Sequence, residues 1–199
     1  MTRRVLPFAE LRSDFTVARE ELRAADRGAA DVDRSELDRA ARRMAMAENI
    51  AVFRGWPAAG IRGIAEASPH PAVPPSDDFE RYPRRVAQAV ELLLKSGVDG
   101  PYGLALGPDD YTGVIETAEH GGYPLFEHLR KILDGPMAWA PGVRGAVVMS
   151  LRGGDFLFES GQDLSVGYEH HDAEAVHLYL EETLSFRVAT PEAAVALHR

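Results

Sequence analysis

The chain has 199 residues, 45% of them hydrophobic, and a formal net charge of −9 at pH 7. This length suits one domain or two small ones with a sizeable core, and no apolar run is long enough to span a bilayer. No membrane is therefore expected as a partner, and because an acidic surface repels phosphate backbones, neither is a nucleic acid. The absence of cysteine excludes disulfides, thiolate metal sites and cysteine nucleophiles, and it fits a reducing cytoplasm.

The N-terminal third combines an extended arm with helices. Residues 3–17 are predicted to form the arm, and this strand needs pairing from elsewhere because no strand precedes it. A short charged helix is predicted at 18–26. A long amphipathic helix is predicted at 35–53, since Ser35 and Asp38 form a capping-box-like pair and apolar residues follow at spacings of three and four.

The middle of the chain is predicted to be helix-rich. Segment 67–79 holds four prolines, which is typical of a rigid, irregular loop. The patterns that follow predict helices at 83–96, 108–116 and 125–133, and strands at 102–106, 137–140 and 146–151. The order of elements is mixed α+β, with the strands concentrated toward the end.

The longest regular pattern is the alternation from Val176 to Val188, which predicts one strand with one buried face. Glu182 occupies the buried register, where an unpaired carboxylate is costly. We expect it to pair with an arginine, to bond to the backbone, or to lie at an interface. A catalytic role would need a partner acid, and the sequence shows none.

No motif supports an enzyme. Ser165 stands in a partial nucleophile elbow, but Asp163 replaces the first glycine and the pattern around it is that of a strand. The run 170–172, His-His-Asp, places adjacent side chains on opposite faces and is typical of a polar turn. His120, beside two glycines, is compatible with a pore-lining loop or with a solvated loop end. We assign no catalytic residue, metal ligand or cofactor.

Several segments, read together, indicate a protein family more specifically than any single motif does. They are ELRSDFT (10–16), AMAENIAVFRG (45–55), GVDGPYGLALGPDDY (97–111), HGGYPLFEHLR (120–130) and GQDLSVGYEHHD (161–172). In this order and spacing the chain resembles the encapsulin, or linocin-like, family of shell proteins over nearly its whole length. The resemblance implies the α+β fold of Hong Kong 97-like phage major capsid proteins, with a peripheral domain, an axial domain and an extended loop.

The resemblance also implies domain borders. These are an extended-loop remnant at 1–17, the peripheral domain at 18–67 and 151–189, the axial domain at 68–150, and a C-terminal segment at 190–199 that returns to the axial domain.

The function implied is that of a shell without catalytic activity in the bacterial cytoplasm. Such proteins self-assemble into an icosahedral cage, with about sixty copies in the smallest closed form. The cage encloses cargo enzymes that carry a C-terminal targeting peptide, either peroxidases that counter oxidative stress or ferritin-like iron-storage enzymes. The cargo-peptide contacts implied by the resemblance are Asp163, Leu164, Val166 and Tyr168. The implied pore loop near a five-fold opening is His120, Gly121, Gly122 and Tyr123.

Three departures from the family pattern modify these expectations. The usual N-terminal region is expected to be absent, which leaves a truncated binding module or low-order oligomer as the alternative function. The pore loop carries one extra glycine, so pore width is not transferred. Glu20 replaces the tryptophan through which some members bind a flavin, so flavin binding is not expected.

Overall fold

The computed structural model describes residues 6–74, 78–119 and 122–197. The helices are α1 (Arg19–Asp26), α2 (Ser35–Phe53), α3 (Ile64–Ala67), α4 (Tyr82–Lys95), α5 (Pro108–Glu116) and α6 (Leu125–Leu133). The strands are β1 (Ala9–Ala18), β2 (Tyr102–Leu106), β3 (Met137–Trp139), β4 (Ala146–Ser150), β5 (Phe156–His171), β6 (Ala175–Val188) and β7 (Ala194–Leu197).

The chain forms two compact units. Met1–Glu48 joins Phe158–Ser185 in the first, and Asn49–Leu157 joins Phe186–Arg199 in the second. The first holds a sheet of order β1-β6-β5, and the second a sheet of order β3-β2-β4-β7. The borders between the units fall inside α2, β5 and β6. The assignment of segments to peripheral and axial domains stays a prediction.

The N-terminal arm has its pairing partner within this chain. Strand β1 runs antiparallel to β6, from Ala9 opposite Leu184 to Ala18 opposite Ala175. One face of this pair packs on α2, where Phe15 and Leu180 are 5% and 3% exposed. The long alternation predicted a strand of this extent correctly, because one face of β6 is covered by a helix.

Helix α2 has the predicted bounds, but the hydrogen bonds of its first turn differ from those predicted. The backbone N–H of Asp38, which the Ser35 side chain was predicted to cap, donates instead to the Arg34 carbonyl at 2.9 Å, so the capping role predicted for the Ser35 side chain is wrong. The Asp33 carboxylate accepts a hydrogen bond of 2.8 Å from the backbone N–H of Ser35. This hydrogen bond, which stabilises the charged form, holds the pKa of Asp33 below its usual value. Ser35 lies inside the first turn, because Arg34 supplies the carbonyl that accepts from Asp38, and the otherwise free N–H of Ser35 is satisfied by the Asp33 carboxylate.

The second unit is built around β2, which is buried along its whole length. β2 lies between β3, which is parallel to it, and β4, which is antiparallel, and β4 also pairs with β7. Helices α4 and α6 contribute Val86, Leu93 and Leu129 to the same core. Strand β7 was not predicted, since a four-residue apolar run shows no periodicity of its own.

A two-glycine turn opens the stretch that leads into β5. Gly153 and Gly154 have φ values of 90° and 80°, which a side chain would strain. The turn lets the Arg152 guanidinium form two contacts with the Asp155 carboxylate, Nε to Oδ2 at 3.0 Å and Nη2 to Oδ1 at 3.0 Å. Asp155 is 3% exposed, so its ion pair with Arg152 stabilises the buried end of this turn.

Candidate functional site

A row of exposed apolar side chains runs along β5, an edge strand of the described three-stranded sheet. Leu164, Val166 and Tyr168 are 49%, 61% and 57% exposed. We call these three residues the β5 row. Edge strands usually carry charges or short lengths that discourage pairing, so a long edge with an apolar row is typical of an interaction surface.

All four residues predicted to contact a cargo peptide lie together on this strand. Asp163 is exposed beside the β5 row, and its Oδ1 atom accepts a hydrogen bond of 2.8 Å from the N–H of Leu164. Whether they contact a peptide stays a prediction.

Hydrogen bonds to β6 fix the position of the β5 row. The N–H of Gln162 donates to Oγ1 of Thr183 at 2.8 Å, and the Ser165 hydroxyl donates to the Glu181 carbonyl at 3.3 Å. The same hydroxyl accepts from Nε2 of Gln162 at 2.7 Å. These contacts of Ser165 are structural, and among the described residues no hydrogen bond joins it to a histidine base.

The tip of the β5–β6 hairpin is a polar turn, as its sequence predicted. The Asp172 carboxylate accepts from the backbone N–H groups of Glu174 and Ala175, both at 2.8 Å, and contacts Nε2 of His177 at 3.1 Å. These bonds stabilise the charged form and keep the pKa of Asp172 far below its ordinary value. The ring of His170 stacks on that of His177, with 4.1 Å between centroids.

The expectation that Glu182 pairs with an arginine or bonds to the backbone is wrong for the described residues. Its Oε1 atom is buried and has no hydrogen-bond partner among the described residues. Burial first, and then the charges of Glu48 and Asp163, raise the pKa of Glu182. Backbone pairing along β6 fixes its register, so the side chain keeps its half-buried position although no described residue supplies a counter-charge. Of the roles expected for it, a place at an interface remains.

The predicted pore loop is only partly described, because His120 and Gly121 lie outside the described residues. Gly122 has a φ of 79°, and Tyr123 is 39% exposed with Nζ of Lys131 5.0 Å from its ring centroid. The ends of the loop are joined by a bridge between Ala118 and Pro124. The loop around Gly122 and Tyr123 is thus anchored at its base.

Sequence reasoning missed two contributors to this surface. Phe158 is 46% exposed and continues the even-numbered positions of the β5 row toward the start of the strand. Glu48, near the end of α2, approaches Glu182 closely enough to raise its pKa. Period-2 spacing could have found Phe158, whereas the approach of Glu48 depends on how α2 crosses the sheet.

The described residues show neither a metal cluster nor a membrane span. Across 6–74, 78–119 and 122–197, no group of three or more histidine, aspartate or glutamate side chains is arranged to hold a metal ion. None of the helices described in these ranges is long and apolar enough to cross a bilayer.

The architecture is that of the Hong Kong 97-like capsid proteins. It matches a virus-like particle from Pyrococcus furiosus with a TM-score of 0.75, covering 96% of this chain and 77% of that chain at 21% identity. It also matches the capsid of an empty GTA particle with a TM-score of 0.60, over 96% of this chain and 72% of that chain at 17% identity. These likenesses establish the fold, as the sequence predicted.

Sequence comparison identifies the family within that fold. The family model described as encapsulating protein for peroxidase matches residues 1–185. The type 1 encapsulin shell protein of Rhodospirillum rubrum is 48% identical over 195 residues, 98% of this chain and 70% of that protein. That of Mycobacterium tuberculosis is 44% identical over 191 residues, 96% of this chain and 72% of that protein. The chain belongs to the encapsulin shell-protein family.

Proposed function

We propose that this chain is a non-enzymatic shell subunit that assembles with copies of itself in the bacterial cytoplasm and encloses a cargo enzyme. Family membership and the capsid fold support the assembly, because both describe proteins built to tile a closed surface. The smallest icosahedral cage would hold about sixty copies. The cargo would be a peroxidase or a ferritin-like enzyme carrying a C-terminal targeting peptide.

The observation that carries cargo binding is the exposed β5 row. Alternate apolar side chains on an edge strand offer an extended peptide two kinds of contact: pockets for its side chains and open backbone groups for hydrogen bonds. Asp163 adds a polar contact at the start of the row. The targeting peptide is proposed to lie along these four residues.

The test of docking is cargo loading in cells. The chain is co-expressed with a fluorescent protein fused to the C-terminal tail of a dye-decolourising peroxidase, and reporter molecules per purified particle are counted. Leu164→Ser and Tyr168→Ser are each expected to lower loading about tenfold, as loss of a central apolar anchor does. Leu94→Ser is the matched control, since Leu94 is 54% exposed on α4. Equal loading in all variants would contradict docking on the β5 row.

The loop at His120, Gly121, Gly122 and Tyr123 is proposed to border an opening in the shell. The exposed Tyr123 ring and the anchored base of the loop support this role. Tyr123→Ala is expected to speed oxidation of a bulky dye by enclosed peroxidase, relative to free peroxidase, while leaving oxidation of a small phenol unchanged. Identical dye rates in both shells would contradict the proposal.

A second candidate is a capsid-fold binding module that forms a low-order oligomer. The outer edge of β5 favours it: this edge pairs with no strand in the described ranges, and such an edge binds peptides without needing closure. Negative-stain microscopy and light scattering distinguish the two. Uniform closed particles support the shell, and a defined small oligomer that still captures the reporter supports the module.

A further inference from the structure

The carboxylate of Glu182 is the least satisfied charged group beside the β5 row. Its Oε1 atom is buried without a hydrogen-bond partner among the described residues. Its charged neighbours are Glu48 and Asp163, so the local field is negative rather than compensating. A buried carboxylate without a counter-charge is destabilising, and one among like charges is more so.

The position of Glu182 follows from the packing of β6 on α2. Leu180 and Met44 of α2 belong to the same buried cluster, and Glu182 lies two residues further along the same face of β6. Glu48 lies four residues after Met44, one helical turn along. The two carboxylates therefore extend the apolar contact between strand and helix with an acidic one.

Glu182 is also a direct neighbour of the β5 row. Gln162 bonds to Thr183, and Ser165 bonds to Glu181, so Leu164 on β5 lies between two cross-strand contacts that bracket Glu182 on β6. Any segment lying along the β5 row would pass beside this carboxylate.

Nearby arginines in the described chain are engaged elsewhere. Arg12 pairs with Asp14 and Glu169, each at 2.9 Å, and covers the ring of Tyr179. Arg43 donates to the hydroxyl of Ser13 and to the carbonyl of Asp14. A positively charged group is therefore what the Glu182 carboxylate lacks among the described residues.

We infer that the segment docked on the β5 row carries a lysine or arginine side chain that pairs with the Glu182 carboxylate. The inference rests on the proposed cargo docking. It specifies the chemistry of the partner: apolar side chains that contact the β5 row, and one cation that pairs with Glu182. A cation is favoured because it would relieve repulsion among Glu48, Asp163 and Glu182 at once, whereas an anionic segment would add to it.

The test is a double-mutant cycle on reporter loading. The fluorescent protein with the peroxidase tail is used together with tails in which each lysine or arginine is changed to glutamine. Each is co-expressed with the wild-type chain and with Glu182→Gln. Neutralising either the critical tail cation or Glu182 is expected to lower loading per particle about tenfold, and neutralising both is expected to cause little further loss. Glu181→Gln is the matched control, since its side chain lies on the opposite face of β6.

Charge exchange tests the pairing directly. A Glu182→Lys chain is expected to load poorly with the normal tail and to recover when the critical tail cation becomes glutamate. A tail that loads without any lysine or arginine would overturn the inference, as would unchanged loading in Glu182→Gln.

Two further results have distinct meanings. If the wild-type chain loads tailed and untailed reporter equally, cargo docking fails and the inference falls with it. If Glu182→Gln lowers particle yield while loading per particle is unchanged, the cation belongs to another copy of this chain and the inference is overturned although docking stands.

Discussion

Two carboxylates on this chain show how environment sets the behaviour of a single residue. Asp155 is 3% exposed and bonded twice by Arg152, and these bonds lower its pKa although burial alone would raise it. Glu182 is half-buried and has no cation beside it in the described part of the chain, so burial and its acidic neighbours raise its pKa. Ionisation therefore supports folding at Asp155 and opposes it at Glu182.

Glu182→Gln is expected to stabilise the chain without its partner. Because the folded-state pKa lies above the ordinary glutamate value of 4.5, the wild type loses stability as pH rises from that value through the folded pKa. The variant should therefore unfold about 2 °C higher at pH 7, and the gap should shrink toward pH 4. Thermal unfolding followed by circular dichroism checks this. A gap that is independent of pH would contradict the assignment.

Asp155→Asn is expected to act in the opposite sense. Loss of the charged bonds to Arg152 should cost about 2 kcal/mol at pH 7. Because the folded pKa is lowered, this advantage of the wild type is present above the ordinary aspartate value of 3.8 and is lost as pH falls through the folded pKa. Urea unfolding at pH 7 and pH 5 should give equal differences, and Asp31→Asn, at an exposed position, should match the wild type.

At the scale of elements, the β5–β6 hairpin depends on a close approach at Gly167. A Cβ atom at this position would lie 2.1 Å from Cζ of Tyr179. The Tyr179 ring also supports the Arg12 guanidinium 3.9 Å from its centroid, and Arg12 in turn bonds Glu169 of β5. One missing side chain thus allows a contact that connects all three strands of this sheet.

Gly167→Ala is expected to destabilise the hairpin by about 1–3 kcal/mol, as overpacking does. Hydrogen exchange should show faster exchange in β5 and β6, with β2 and β4 unchanged. Combining the change with Tyr179→Ala should recover part of the loss, because the clash is removed. Ser160→Ala, at an exposed position on the same strand, serves as the control. Equal loss in single and double variants would contradict the close approach.

At the scale of the whole molecule, charge opposes the proposed assembly. Each copy carries a formal charge of −9 at pH 7, so packing copies side by side concentrates like charge. Raising the salt concentration from about 0.01 M to about 0.15 M shortens the screening length from about 30 Å to about 8 Å. The fraction of chain in particles, measured by size-exclusion chromatography with light scattering, is expected to rise over this range. A fall would show that interfacial ion pairs outweigh the net repulsion.

The sequence by itself determined the elements with strong periodicity and the family. The 3.6-residue pattern of α2 and the two-residue pattern of β6 predicted the helix and the strand because each buries one face. The segments quoted from 10–172 predicted the capsid fold. They also predicted Asp163, Leu164, Val166 and Tyr168 as cargo contacts; all four side chains are exposed, and the contact itself stays a prediction.

Only the tertiary structure determined the strand pairings, hydrogen bonds and charge neighbours that involve residues distant in sequence. The pairing of the N-terminal arm with β6, the short β7, and the use of Asp33 rather than Ser35 at α2 follow from which free backbone groups come together. The same is true of Glu182: periodicity predicted that it is buried, but only the crossing of α2 over the sheet brings Glu48 rather than an arginine beside it. Local patterns record burial, whereas charge compensation is set by neighbours that the fold supplies.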